Sequence, residues 1–407
     1  MIILHATTKK SWSSCENLDF YGEHCINNCG FIHCSDIDTY HLVAPKFKNE
    51  VEEMVILVIN TCKVSSKILW EDFNGTGVSF PHIYGMLNKD AIVTILPHIW
   101  NKNKEWVPNR ELIFPTLTIK EAINKGHSKD KKLIVFDENE NKLLLRISPF
   151  DSYEAKHKIY EITRQAEACG VPMCAPVSFG ICNEGVYTLQ SWIDGTDGDE
   201  CINKLTFDKQ YRYGIDAGKA LKKIHSIAAP REAKDWESYF NCKIDGVINA
   251  YNECPIKLKN DQTFINYINS HRHLLAERPL VYQHGDYHIG NMRIGFDEMI
   301  YIIDFEKVNI GDPWEEFKRI VWCAGSSPFF ATGMINGYFD NNVPVEFWDI
   351  LLLYICFSKL SAITWAGYVE RDLIDLMKNQ ADEVLCWYNN MQSPIPTWYK
   401  GIRNDFV

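Results

Sequence analysis

Along the first hundred positions, apolar residues fall in short β-branched runs bounded by polar and turn residues, so residues 2–5, 54–60 and 91–96 are predicted as strands. The pattern then breaks. Residues 101–116, NKNKEWVPNRELIFPT, are polar, carry two prolines and read as a linker. Beyond it, 133–136 and 142–147 read as antiparallel strands joined by the polar turn 137–141. Residues 151–169 read as a helix, with Ile159, Ile162 and Ala166 at helical spacing and Gly170 and Pro172 as its stop. Residues 186–193, VYTLQSWI, form a further predicted strand running into the turn residues DGTDGDE. A helical stripe of Tyr211, Ile215, Gly218, Leu221 and Ile224 follows over 208–227. Two apolar runs, 279–282 and 299–303, then flank a polar cluster that holds Asp286, His288 and Asn291, with Asp304 just after the second run. After Asp312 the chain reads as helical. Residues 345–365 are almost continuously apolar, and Leu373, Leu376, Met377, Val384, Leu385 and Tyr388 repeat at near-helical intervals. No internal repeat or low-complexity tract is present. This order predicts an α+β chain of two domains, residues 1–108 and 117–407, around a linker at 109–116. The second has a small β-rich lobe (117–195) and a larger helical lobe (196–407).

Composition adds limits. A chain of 407 residues that is 46% apolar can bury a sizeable core. A formal charge of -11 argues against nucleic-acid and anionic-membrane partners and favours small cationic ligands. The N-terminus MIILHATTKK lacks the form of a signal peptide, and no uninterrupted apolar run approaches the roughly 18 residues of a membrane span, so a cytoplasmic protein is expected. The 14 cysteines are then expected as reduced thiols. His24, Cys25, Cys29, His33 and Cys34 are the residue types zinc prefers, but their spacing matches no paired CxxC pattern, and buried thiols are the plainer reading.

The front segment carries HATT at 5–8, GFIHCS at 30–35, WED at 70–72 and FPHIYG at 80–85. On these motifs it resembles a small bacterial family of unknown function, the DUF952 type, across nearly all of residues 1–108. The resemblance implies a fold similar to ADP-ribosyltransferases and tRNA 2'-phosphotransferases, and at the level of fold it implies little about activity. His5, His33, Glu71 and His82 are candidates to converge around a phosphate-bearing ligand, since imidazoles beside an acid do proton transfer near neutral pH. The other reading of each histidine is a structural group at a strand end or turn.

The stretch 281–306, VYQHGDYHIGNMRIGFDEMIYIIDFE, organises the second domain. HGDYHIGN followed by IIDFE resembles the catalytic segment of the aminoglycoside phosphotransferase family, which shares its fold with protein kinases and choline kinases. LLLRIS, SWIDG, GKALKKIHSI and GDPWEEF fall in family order, so the resemblance spans about residues 117–400. It implies a bilobal kinase-like fold and transfer of the γ-phosphate of ATP or GTP to a hydroxyl. In that template Asp286 accepts or orients the hydroxyl proton, and Asn291, five positions on, holds Mg²⁺ together with Asp304. Arg146 stands where kinases usually place lysine, with Glu161 or Glu154 as its helix partner. The loop 124–131, with Gly126, Ser128 and three lysines, is a candidate cover for phosphates, or else a solvated lysine-rich hairpin. Gln190, Ser191, Trp192 and Ile193 are expected as the hinge that bonds the base, the alternative being an ordinary edge strand. His288 either contacts phosphate or braces the loop, and Asp312 holds the loop.

Acids such as Glu315, Glu316, Asp340, Glu370, Asp372 and Asp375 are candidates to face a cationic acceptor, and singly each is better read as solvated helix surface. The resemblance and the charge point to a small-molecule kinase whose leading acceptor is an aminoglycoside-type cation. Choline, an amino sugar or a macrolide are alternatives. A different class of reading makes the second domain a nucleotide-binding module and places the chemistry in the first.

Overall fold

The computed structural model describes residues 1–73, 75, 77–98, 116–123, 130–182, 184–230 and 235–402. Most of the expected linker, and Gly126 and Ser128 with it, lie outside the described residues. By contacts the chain divides into two units, Met1–Glu154 with Val177–Gln190, and Ala155–Pro176 with Ser191–Val407.

In the first unit Ile2–Thr8 pairs antiparallel with Met54–Asn60 along its whole length, flanked by Ser35–Asp36 and Ile92–Pro97. Met54–Asn60 reads as an unbroken apolar run because both its faces are buried: Val55, Leu57 and Ile59 pack on one cluster, Ile56 and Val58 on another. A smaller sheet joins Ile32–His33, Phe80–Tyr84 and Lys67–Glu71, and its register sets His33 directly opposite His82. The unit also holds a five-stranded sheet in the order Thr118–Ala122, Lys131–Phe136, Lys142–Ser148, Gly185–Ser191, Pro176–Cys182. Its hairpin turn is closed by the Asp137 carboxylate, which accepts from the backbone N–H of Asn139 and Asn141 at 2.9 and 2.8 Å. Thr118–Ala122 escaped prediction because every one of its residues is exposed, so no apolar alternation marks it.

The second unit is mainly helical. The helix Tyr153–Ala168 begins at the boundary between the units, and Phe207–Ile224 packs on Pro328–Tyr338 through glycines spaced four apart on both helices. A Cβ at Gly218 would lie 2.1 Å from the Met334 carbonyl oxygen, and one at Gly337 2.2 Å from that of Ile215, so the two backbones touch. Gly218→Ala is expected to destabilise the protein by about 1–3 kcal/mol through forced separation of these helices, read as a lowered urea midpoint at constant slope. Val345–Tyr368 is long and apolar enough, by length and composition, to cross a membrane, but 78% of that apolar window is buried inside the protein. It is the central helix of this unit's core, surrounded on all sides, which removes the amphipathic period.

DGTDGDE departs from its expected turn. Gly195–Asp197 is a strand paired with Met292–Gly295, and Gly198–Cys201 is a helical turn. The strand is possible because Gly195 has no side chain: a Cβ there would meet the Ile294 carbonyl oxygen at 2.1 Å.

Candidate active site

The hairpin Met292–Gly295 with Ile300–Ile302 builds the site. Its register pairs Met292 with Ile302, and the Ile303 N–H donates to the Asn291 carbonyl oxygen at 3.0 Å. Asn291 and Asp304 therefore emerge side by side at one end of the hairpin. Asp304 takes a left-handed backbone, φ 65° and ψ 57°, which turns the chain out of the strand and which a short polar side chain tolerates. The Asn291 amide group donates to the Asp286 carbonyl oxygen at 2.9 Å, so its amide oxygen is the end presented outward. An amide oxygen beside a carboxylate suits a hard divalent cation such as Mg²⁺, and these two residues would hold it.

Asp286 lies one turn earlier in the loop. Gly285 has φ 82°, and a Cβ on it would fall 2.0 Å from the Lys307 carbonyl oxygen, so only glycine lets the segment after Asp304 lie this close. Its N–H donates to both oxygens of buried Glu316, at 3.0 and 3.2 Å. Burial raises the Glu316 pKa, but His225, 3.8 Å away, and the charge of Lys318 outweigh it and bring it down to about 2. Tyr287, fully buried, donates to the Ala217 carbonyl oxygen at 2.6 Å, which ties the loop to the helix Phe207–Ile224. Asp312 completes the support. It takes Arg278 through two bonds of 2.7 and 3.0 Å and also accepts from Tyr354 and the Trp314 N–H.

The Asp286 carboxylate is surrounded by basic side chains. Lys307 Nζ donates to Oδ2 at 2.7 Å, Arg319 Nε is 2.9 Å from Oδ1 as an ion pair off the N–H axis, and His288 Nε2 is 3.5 Å from Oδ1. The Gly290 N–H donates to His288 Nδ1 at 3.1 Å, which leaves the ring proton on Nε2, the nitrogen facing Asp286. Burial pushes the Asp286 carboxyl up, but His288, Arg319 and Lys307 together hold it well below the usual carboxylate range. Such a carboxylate is a weak base and a firm hydrogen-bond acceptor. It can orient a hydroxyl throughout the reaction and take its proton only late.

A profile of the phosphotransferase enzyme family matches residues 121–348, more than half of the 407. The chain belongs to this family. A second profile, of the DUF952 family of unknown function, matches residues 6–95. A point mutant of aminoglycoside 2'-phosphotransferase-IIIa, solved with GDP, shares the phosphotransferase fold at a TM-score of 0.53 and 14% identity, over 70% of this chain and 97% of that one. The aminoglycoside phosphotransferase APH(4)-Ia matches at a TM-score of 0.52 and 12% identity, over 68% and 96%. No curated protein matches the chain.

The other expected residues of the phosphotransferase fall on both units. Arg146, buried on Lys142–Ser148 in the first unit, has its Nη1 3.8 Å from Asp130. Glu161, in the second, has His157 at 4.0 Å on its own helix. The chain crosses between the units at Gln190 and Ser191. The Ser191 N–H donates to the Ala175 carbonyl oxygen at 2.9 Å and its hydroxyl accepts from the Ala175 N–H at 2.7 Å, so that N–H is already used. Trp192 has the Arg293 guanidinium 5.5 Å from its ring, and Ile193 follows half-buried. Glu306 pairs with Lys156. Lys307 and Arg319 were not singled out in the sequence, because nothing in their spacing marks them as partners of Asp286.

In the first unit three of the four expected side chains meet. His82 Nδ1 donates to Glu71 at 3.1 Å, Tyr84 donates to the same carboxylate, and the His33 ring lies 5.1 Å from that of His82. Phe31 and Phe73 lie 4.4 and 4.9 Å from His82. Burial first, then mutual repulsion and Lys46, lower the His33 pKa, and burial against the pull of Glu71 lowers that of His82. His5 does not join them. Its ring is bonded to the His33 carbonyl oxygen at 2.7 Å and to Tyr21 at 3.0 Å, and burial takes its pKa down to about 4. Burial raises the pKa of Cys25, to about 11, and that of Cys34. Among the described residues no group of three or more His, Cys, Asp and Glu is placed to hold a metal.

Proposed function

We propose that residues 117–407 transfer the γ-phosphate of ATP or GTP to a hydroxyl of a small molecule, with Mg²⁺. The observation that carries this reading is the ionised Asp286, clamped by Lys307, Arg319 and His288 one loop away from the paired Asn291 and Asp304. Phosphoryl transfer asks little covalent work of a protein, so positioning and charge neutralisation are the needed parts. Asp286 fixes the acceptor oxygen in line. The Arg319 guanidinium offers positive charge, and His288 Nε2–H a hydrogen bond, to phosphoryl oxygens as they develop charge. Asn291 and Asp304 would hold Mg²⁺, which when bound would neutralise charge on the nucleotide phosphates.

A second reading rests on His33 and on His82 oriented by Glu71: an acid–base site in the first unit, with the kinase-like domain binding nucleotide only. Mg²⁺-dependent release of phosphate from ATP or GTP by the intact protein separates them. Asp304→Ala is expected to lower turnover at least 100-fold while His82→Ala leaves it unchanged. The reverse pattern favours the second reading.

The leading acceptor read from the sequence, an aminoglycoside-type cation, depends on acidic side chains facing it. Those nearest the loop are engaged: Glu316 with the Gly285 N–H, and Glu315 with Lys318 at 2.7 Å and Gln283 at 3.2 Å. Asp340 pairs with Lys222.

A further inference from the structure

A cavity of about 480 Å³ opens in the second unit, of a size that takes a small polar molecule. Its lining includes residues 308–310 together with Glu315 and Lys318. The same two segments clamp the catalytic carboxylate, since Lys307 precedes the first and Arg319 follows the second, and both reach Asp286. The cavity wall and the clamp on Asp286 are thus built from the same two segments. Trp236 and Tyr239 supply apolar wall, and Lys158, Lys243 and Lys318 supply charge against the single acid Glu315.

That balance is the reverse of the whole chain, whose net charge is -11. Glu315 is already neutralised by Lys318 at 2.7 Å. Lys158 and Lys243 have no carboxylate within ion-pair distance among the described residues. Lys243 instead lies 5.3 to 5.7 Å from the rings of Phe240, Tyr239 and Phe357, which holds its ammonium at the wall. A polycationic acceptor entering here meets the ammonium groups of the lining lysines. An anion meets them as partners.

Resting on the phosphotransferase reading of Asp286, we infer that the acceptor bears a negative group, a carboxylate or a phosphate, as well as the hydroxyl it presents for transfer. Lys158 and Lys243 bind the anion, and the hydroxyl displaces the exposed Lys307 ammonium from Asp286 Oδ2. In the transfer the acceptor oxygen forms a bond to the γ-phosphorus, the bond from that phosphorus to the β,γ-bridging oxygen breaks, the nucleoside diphosphate leaves with that electron pair, and the hydroxyl proton passes to Asp286.

The test is calorimetric binding to the intact protein saturated with Mg²⁺ and ADP. The probes are a panel of hydroxylated carboxylates (gluconate, glycerate), a panel of hydroxylated phosphates (glucose 6-phosphate, glycerol 3-phosphate), and kanamycin as the polycation. At least one acid is expected to bind, with affinity falling about tenfold in Lys243→Gln, about tenfold in Lys158→Gln, and with added salt. The panel that binds tells carboxylate from phosphate. Binding of kanamycin to the unaltered protein, no binding by any acid, or acid binding indifferent to both lysine substitutions overturns the inference. Asp286→Asn separates the two readings: anion binding that persists while no hydroxylated compound is phosphorylated by the unaltered protein counts against phosphotransfer and leaves the anion site standing.

Discussion

Asp286→Asn is expected to lower phosphoryl transfer by about 10²–10⁴-fold, the range a positioned proton acceptor contributes. Asparagine keeps the size of the side chain but brings an NH₂ donor to a place where Lys307, Arg319 and His288 all point donors or positive charge. The amide can neither balance that charge nor hold a hydroxyl by two equivalent oxygens. The loss should fall on kcat, because the interaction matters most as the acceptor oxygen attacks. The melting temperature should fall with it, since Lys307 and Arg319 lose their common counter-ion. Steady-state kinetics beside a thermal melt gives both numbers, and a kcat within tenfold of the unaltered protein would remove Asp286 from the role given to it.

Asp312→Ala is expected to cost about 3–5 kcal/mol of stability, the range for breaking a buried ion pair by removing one partner. Asp312 is fully buried, and its carboxylate joins Arg278, Tyr354 and the Trp314 N–H, while its carbonyl oxygen takes Gln283 Nε2 at 2.7 Å. Arg278 also stacks on Trp314 at 3.9 Å, so its guanidinium stays in place with no anion to neutralise it. The double change Asp312→Ala with Arg278→Met should recover part of the loss, because it removes the stranded charge as well. Urea unfolding of the three variants decides this, and a loss below 1 kcal/mol for Asp312→Ala would show that the loop is held by packing alone.

The stretch proposed as catalytic could be picked out because its parts are close in sequence. Asp286, Asn291 and Asp304 lie within 19 positions, and a loop followed by a two-stranded hairpin brings them together with no long-range condition beyond the hairpin's own register. The same holds for Met54–Asn60, whose apolar run needs only burial on both faces. Legibility ended where contacts depend on distant packing. Thr118–Ala122 has no apolar side to announce it, and Gly195–Asp197 pairs with a strand about a hundred residues away. The quartet of the first domain divided for the same reason. Strand register joins His33 and His82, while His5 faces Tyr21 behind them.

By itself, the sequence determined the phosphotransferase family, and it placed a carboxylate, an amide and a second carboxylate at fixed local intervals, the oxygen donors the proposed reading needs. Charge around that chemistry is a sum over side chains that only the fold brings within a few ångströms. Lys307 and Arg319 converge on Asp286, Lys158 and Lys243 on the neighbouring cavity, and the nearby acids are engaged elsewhere. Coulomb interactions depend on those distances and on burial, not on position along the chain, so a net charge of -11 gave no hint of a cavity lined by three lysines.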